Sequence, residues 1–371
     1  MTAKTSGTNG KGLSAGELTT RSQAFLQYLQ DLSSRGERAT EEQLASLGMA
    51  RTPYTVLYEE GSCRVLSYEV LGERNDAPPI LMVYSFINRW YILDLQPGHS
   101  FIETLSRAGH KVYLIDWGIP GPENDDLDLD YYLEKVALRA VKRIRRAEGG
   151  RRLTLFGYCI GGTLTAMMAA LHPEHYAGLV LLTAPLDFED AGILSLWTNP
   201  KFFDPEKITS AFGSVPEKIL HASFPYMKPK EHLARNRLLF ENILDEKYVR
   251  NFRSIERWST DNVPFPGRVY HDFVKGCYQK NQLAKGEFRV GDRTVDLGRV
   301  SCPVLNIYAK NDHIVPCATA ERSAQLLAGT KTWNHPYEAS HITVTVAHPI
   351  RETVWKDTLD WLRTNTTRRS N

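Results

Sequence analysis

The chain has 371 residues, 42% hydrophobic and 24% charged, and its 45 Lys and Arg against 43 Asp and Glu give a formal net charge of +2. That length and composition can bury a large single core, which excludes global disorder, and the charge balance lacks the basic footprint of a nucleic-acid binder. The 5 cysteines, Cys63, Cys159, Cys277, Cys302 and Cys317, are odd in number and contain no Cys-x-x-Cys pair, so no disulfide framework and no metal site is expected, and a reducing cytoplasm is the natural setting.

Residues 1–16, rich in Thr, Ser, Gly and Lys, read as a disordered tail without the apolar core of a signal peptide. No run reaches the ~18 apolar residues of a spanning helix, so a protein neither exported nor inserted in a membrane is expected. From 17 to 33, Leu18, Phe25, Leu26, Leu29 and Leu32 recur at helical spacing, and Thr40-Glu41-Glu42-Gln43 is a capping-box pattern opening a second short helix. Residues 1–52 are therefore read as a polar tail and short packing helices. Strands are expected at 55–59 and at 64–71, the second with Leu66, Tyr68 and Val70 on one face, as an antiparallel start to a sheet.

Apolar runs then alternate with helical patterns. Runs at 80–84, 112–115, 153–156, 179–182 and 304–308 are continuous, as in parallel strands covered on both faces; helices are expected at 100–108, 130–146, 162–171, 319–327 and 350–362. Between 186 and 296 the rhythm breaks. That stretch shows no clear strand and many aromatics, Trp197, Phe202, Phe203, Phe212, Phe224, Tyr226, Phe240, Phe252, Trp258 and Phe265, and reads as a mainly helical insertion that lies over the sheet's active end and lines a substrate channel. The core is thus assigned to 53–185 and 297–365, with a helical cap insertion at 186–296 and a frayed polar tail after 363.

The chemistry centres on Leu155-Phe156-Gly157-Tyr158-Cys159-Ile160-Gly161-Gly162, an apolar run that stops on a cysteine framed by glycines and continues as a helix. A nucleophile on a sharp strand-to-helix turn needs neighbours without Cβ at positions 157 and 161. A buried structural cysteine is the ordinary alternative; the glycine frame sets it aside. A thiol needs a base, and the base needs a partner to hold its tautomer. Asp312 falls in the loop after the strand at 304–308, and His341 in the loop after the β-like run at 331–337, giving the order nucleophile, acid, histidine. Of 11 histidines, His313, His335 and His348 are the nearby rivals. Two backbone N–H groups are expected to form an oxyanion hole, one from Ile160 and the other from Phe86 or its neighbour Ile87.

Several stretches together resemble the poly(3-hydroxyalkanoate) synthases of the α/β-hydrolase superfamily, most closely the short catalytic subunit of the two-subunit class III, with class IV near it. They are Gly157 through Gly162, Ile87-Asn88-Arg89-Trp90-Tyr91-Ile92-Leu93-Asp94-Leu95, Tyr113-Leu114-Ile115-Asp116-Trp117-Gly118, and Pro303 to Tyr308 running into Asp312-His313-Ile314-Val315-Pro316. The resemblance implies a mostly parallel central sheet with flanking helices and a helical cap. It implies Cys159 as the acylated nucleophile, His341 as its base and Asp312 as the third member, which also helps deprotonate the 3-hydroxyl of the incoming unit. The substrate is then an (R)-3-hydroxyacyl-coenzyme A, with coenzyme A released and no cofactor. Further implied are a growing polyester chain or granule surface, a cytoplasmic location on polyester granules, a second, largely helical subunit and a homo-oligomer. A cysteine thioesterase or polyester hydrolase of the same fold is the alternative. The chain departs from the family pattern at Ala339-Ser340, where glycine usually precedes the histidine, and at Thr343-Val344-Thr345-Val346.

Overall fold

Continuous apolar runs become strands because each must hide both faces, and here they assemble into a single twisted layer between helices. The computed structural model describes residues 14–33, 38–227 and 229–366. In chain order the strands are β1 (Tyr54–Glu60), β2 (Cys63–Tyr68), β3 (Ile80–Val83), β4 (Val112–Asp116), β5 (Leu153–Tyr158), β6 (Tyr176–Leu182), β7 (Arg289–Val290), β8 (Arg293–Thr294), β9 (Val304–Ala309) and β10 (Thr332–Tyr337). Eight of them form one sheet in the order β1-β2-β4-β3-β5-β6-β9-β10. The β1–β2 and β2–β4 pairs are antiparallel and the remaining pairs parallel. Every residue of β3, β4, β5, β6 and β9 is buried, whereas the edge strands β1 and β10 carry only half-buried and exposed positions.

The expected helices are present with shifted ends. One is Phe101–Arg107, N-capped by Ser100, whose hydroxyl accepts from Glu103 N–H. The pattern at 130–146 starts as a π-helix, Tyr131–Ala137, before the α-helix Leu138–Ala147. Ile160–Leu171 starts at Ile160 instead of 162, and Cys317–Leu326 starts two residues before 319. The last helix, Ile350–Asn365, passes the point at which fraying was expected, because Trp355, Trp361 and Leu362 are buried along it.

The stretch expected to lack strands contains the β7–β8 hairpin. Its strands have two residues each, joined across Gly291 (φ +54°) and Asp292, too short for any alternation to register in the sequence. The rest of that stretch is helical, from Ile193–Trp197 through Glu246–Thr260 to Gly267–Phe273.

Near the N-terminus, Thr40 closes a reciprocal capping box with Gln43 at the head of Glu41–Ser46. The helix Ala15–Ser33 begins inside the stretch read as a tail, and residues 1–13 lie outside the described residues. Its Phe25, Tyr28 and Leu32 pack with Leu239, Ile243 and Phe252 of the inserted helices, not on the sheet. Leu18, Leu26 and Leu29, from the same apolar pattern, are exposed.

Candidate active site

The run at 153–158 is β5, in the middle of the sheet with β3 on one side and β6 on the other. Cys159 is the next residue and the N-cap of Ile160–Leu171, at φ 57° and ψ −127°. A side chain with positive φ is costly and persists only where the surroundings hold it. They do so by close approach. A Cβ at Gly157 would lie 2.4 Å from Gly162 Cα, and one at Gly161 2.2 Å from the Val83 carbonyl oxygen. Gly162, not singled out in the sequence, is as constrained, since its Cβ would lie 2.2 Å from that of Ala184.

β9 and β10 run parallel, pairing Val304 with Thr332 and Ala309 with Tyr337, so the loops that follow emerge side by side at the same end of the sheet. Asn311 N–H donates to the Ala339 carbonyl at 3.0 Å and ties them together. Asp312, in the first loop, accepts from Ile314 and Val315 N–H on Oδ1 at 2.8 and 2.9 Å, while Oδ2 meets His341 Nδ1 at 2.7 Å. The ordinary turn role and the role of partner to His341 are thus both filled, one by each oxygen. Nε2 is left for the Cys159 thiol, whose sulfur acts on the ring electrostatically. Burial pulls the imidazole's pKa down, but the Asp312 carboxylate and the Cys159 sulfur outweigh it and push it up to about 10.

Of the rival histidines, His335 lies 4.0 Å from Asp357, His348 lies 2.9 Å from Glu352, and both His348 and His313 line the cavity. The other thiols ionise less readily than usual. Burial pushes Cys63 and Cys302 up to about 12 and Cys277 well above its usual value, and burial with the nearby Glu321 raises Cys317.

Ile160 opens the helix after the nucleophile, where N–H groups have no partner within the helix. Of the two residues weighed for the second donor, Ile87 has its N–H engaged by Ser85 Oγ at 3.2 Å, which leaves Phe86. The Phe86 side chain turns into the core, stacked on Trp117 at 4.8 Å. The resemblance-bearing stretches around these residues brace the loop after β3. Asp116 accepts from Tyr84 Oη at 3.1 Å and pairs with Arg64 at 2.7 Å, Trp117 Nε1 donates to the Tyr84 carbonyl at 3.0 Å, and Asp94 accepts from Thr52 Oγ1 at 2.7 Å. From the inserted helices, Trp258 Nε1 donates to the Arg89 carbonyl at 2.9 Å.

Cys159 and His341 open on a cavity of about 1480 Å³, above the ~300–1,000 Å³ of ordinary ligand pockets. Phe224, Phe252, Trp258 and Phe265 line it, whereas Phe202, Phe212 and Tyr226 of the same stretch are exposed. Sequence reasoning missed Tyr158, whose buried ring lies 5.7 Å from that of His341; adjacency to the cysteine was its one signal. Ser340, one of the departures from the family pattern, has a partner that the sequence did not show. That side chain, in the place of the usual glycine, is held by Thr343 at 2.9 Å, so the two departures from the family pattern engage each other. Away from the cavity, His172, Glu174 and His175 stand close enough to hold a metal ion. The guanidiniums of Arg145, 2.8 Å from His175 Nδ1, and Arg293, 2.9 Å from His172 Nε2, oppose a cation there.

A strand-to-helix turn bearing a cysteine at the centre of a mostly parallel sheet, with an aspartate and a histidine on later loops, has the layout of an α/β-hydrolase fold, and residues 78–346 match the family described as "alpha/beta hydrolase fold". Among solved structures, a carboxyl esterase from Bacillus coagulans aligns with TM-score 0.55 at 15% identity, covering 85% of this chain and 99% of its own. A monoglyceride lipase from Saccharomyces cerevisiae aligns with TM-score 0.54 at 16% identity, covering 90% and 99%. Residues 5–105 match "Poly-beta-hydroxybutyrate polymerase (PhaC) N-terminus". Proteins named poly(3-hydroxyalkanoate) polymerase subunit PhaC are similar over most of the chain. The one from Haloferax mediterranei is 36% identical over 89% of this chain and 67% of its own, and the one from Allochromatium vinosum 30% over 92% and 96%. The chain belongs to the poly(3-hydroxyalkanoate) polymerase family. No helix among the described residues is long and apolar enough to cross a membrane.

Proposed function

We propose that the protein polymerises (R)-3-hydroxyacyl-coenzyme A into a polyester through an acyl group carried on Cys159. The observation that carries the mechanism is the buried His341 Nδ1 to Asp312 Oδ2 contact of 2.7 Å, with the Cys159 sulfur near enough to act on the same ring. His341 Nε2 takes the thiol proton, and Sγ attacks the thioester carbonyl, whose oxygen draws negative charge toward the N–H groups of Ile160 and Phe86. The bond from the carbonyl carbon to the coenzyme A sulfur breaks, and His341 returns the proton to the leaving thiolate. In the second half His341 accepts the proton of an incoming 3-hydroxyl, the alkoxide attacks the acyl carbon on Cys159, an ester forms, and Sγ leaves and is reprotonated. Oδ1 of Asp312 is filled by two amides and Oδ2 faces the imidazole, so Asp312 acts through His341 and does not itself take the hydroxyl proton.

The inserted helices act as a cap whose aromatic lining favours a growing apolar chain over water. A second, helical subunit binds the exposed Leu18, Leu26 and Leu29 face and raises activity by favouring the competent conformation, with the assembly on polyester granules in the cytoplasm. Incubation of the purified protein with 3-hydroxybutyryl-coenzyme A, following thiol release and turbidity together, tests the reading. Thiol release with insoluble polymer is expected; thiol release with free 3-hydroxybutyrate alone makes the protein a thioesterase and overturns it.

A further inference from the structure

One wall of the same cavity gathers basic groups that the transfer chemistry does not use. It is built from three segments distant in sequence: His99 before Phe101–Arg107, Lys247 on Glu246–Thr260, and Arg351 at the start of the last helix. Arg351 is 7% exposed, an unusual place for a guanidinium. It donates to the Val346 carbonyl at 3.1 Å, its Nε has no partner among the described residues, and its nearest acid, Glu352, stands 3.9 Å from Nη2. Glu352 is itself taken by His348 at 2.9 Å. Lys247 has no carboxylate within 4.0 Å among the described residues, and the neighbouring Asp245 is spent on capping its own helix at Tyr248 N–H. His99 lies in the field of both cations. Burial first, then Arg351, Lys247 and His348, hold its pKa down at about 4, so at neutral pH it is an uncharged donor beside the two cations.

A buried, incompletely satisfied guanidinium is costly unless an anion completes it, and a planar fork with an exposed point charge on the same wall suits a phosphate. We propose that Arg351, Lys247 and His99 form a phosphate subsite that holds the phosphate-bearing half of the thioester while its acyl half lies at Cys159. The inference rests on the acyl-thioester reading above. It makes the coenzyme portion a handle: binding energy gathered far from the carbonyl positions the thioester and is released when the thiol departs.

The test compares two substrates with the same reacting bond, 3-hydroxybutyryl-coenzyme A and 3-hydroxybutyryl-pantetheine, which lacks every phosphate. For Arg351→Gln the KM of the coenzyme A thioester is expected to rise ~10–100-fold with kcat nearly unchanged, the range that follows from losing one charge-assisted contact. Lys247→Gln, at an exposed position, gives a smaller rise, and Arg351→Lys restores part of the loss. Neither variant alters kinetics with the pantetheine thioester. Adenosine 3′,5′-bisphosphate competes with the coenzyme A thioester in the unmodified protein and binds more weakly, by calorimetry, to both Gln variants. Equal losses on the two substrates, or an unchanged KM for the coenzyme A thioester, overturn the subsite. If the unmodified protein releases thiol from neither substrate, the acyl-transfer reading fails, and bisphosphate calorimetry on the same variants still decides whether the wall binds phosphate.

Discussion

Replacing Asp312 with Asn is isosteric, yet it reverses one hydrogen bond of three. Oδ1 receives two backbone N–H groups at 2.8 and 2.9 Å, so an amide oxygen must stay there, because its NH2 would otherwise face two donors. The NH2 is thereby aimed at His341 Nδ1, where the carboxylate now stands at 2.7 Å, and the ring must take its proton on Nε2, the nitrogen that faces Cys159. An imidazole in that tautomer accepts no thiol proton, and losses on the order of 10⁴ accompany the same inversion in serine enzymes. Since Asp312 acts through His341, acylation and elongation are expected to fall together, by roughly three to four orders of magnitude each. Stability changes with pH as well. The His341 pKa is raised from 6.5 to about 10, so its pairing contributes fully below 6.5 and is lost as pH rises through 10. The melting-temperature gap between the protein and Asp312→Asn is therefore widest near pH 6 and narrows toward pH 10, worth roughly 2–4 kcal/mol at its widest from trading charged for neutral hydrogen bonds. Single-turnover thiol release, polymer growth on pre-acylated enzyme and melting curves at several pH values check these points. Acylation within tenfold of normal in a folded variant, or a loss confined to elongation, refutes the reasoning.

Cys159→Ala is expected to leave the melting temperature nearly unchanged and to abolish the covalent acyl adduct seen by mass spectrometry; ordinary turnover would transfer the nucleophile to another thiol. Gly161→Ala should cost at least ~2 kcal/mol or prevent folding, since its Cβ would meet the Val83 carbonyl at 2.2 Å, whereas Gly16→Ala, with nothing within 4 Å, should be neutral or slightly stabilising in thermal melts. Expression alone and with the neighbouring helical subunit, comparing lag phase and specific activity, is expected to show activation by the pair. Charged substitutions at Leu26 and Leu29 should weaken it; full activity alone with no stable complex would refute it.

The sheet was legible because its central strands are buried on both faces and so appear as unbroken apolar runs, and β3, β5 and β9 lie where those runs are. Cys159, Asp312 and His341 could be singled out because strand ends are visible in sequence and the loops after them follow directly. What sequence could not carry was distance between side chains. That Asp312 serves a turn with one oxygen and an imidazole with the other, or that Gly162 touches Ala184, depends on packing between segments far apart in the chain. The helix Ala15–Ser33 shows the same limit: its apolar spacing was plain, but not that it would rest on the inserted helices, because periodicity reports a buried stripe and not what buries it.

The position of β10 at the margin of the sheet has a bearing on durability. The cysteine turn hangs from β5, flanked by strands on both sides, whereas the histidine loop hangs from a strand bonded to β9 alone and interrupted by Pro336, which has no N–H to give. Heat or mild denaturant should therefore release the 338–342 loop first, leaving a folded protein that holds its nucleophile but has lost its base. Inactivation would then precede melting and reverse on cooling, and deuterium would enter the amides after β10 well before those of β5.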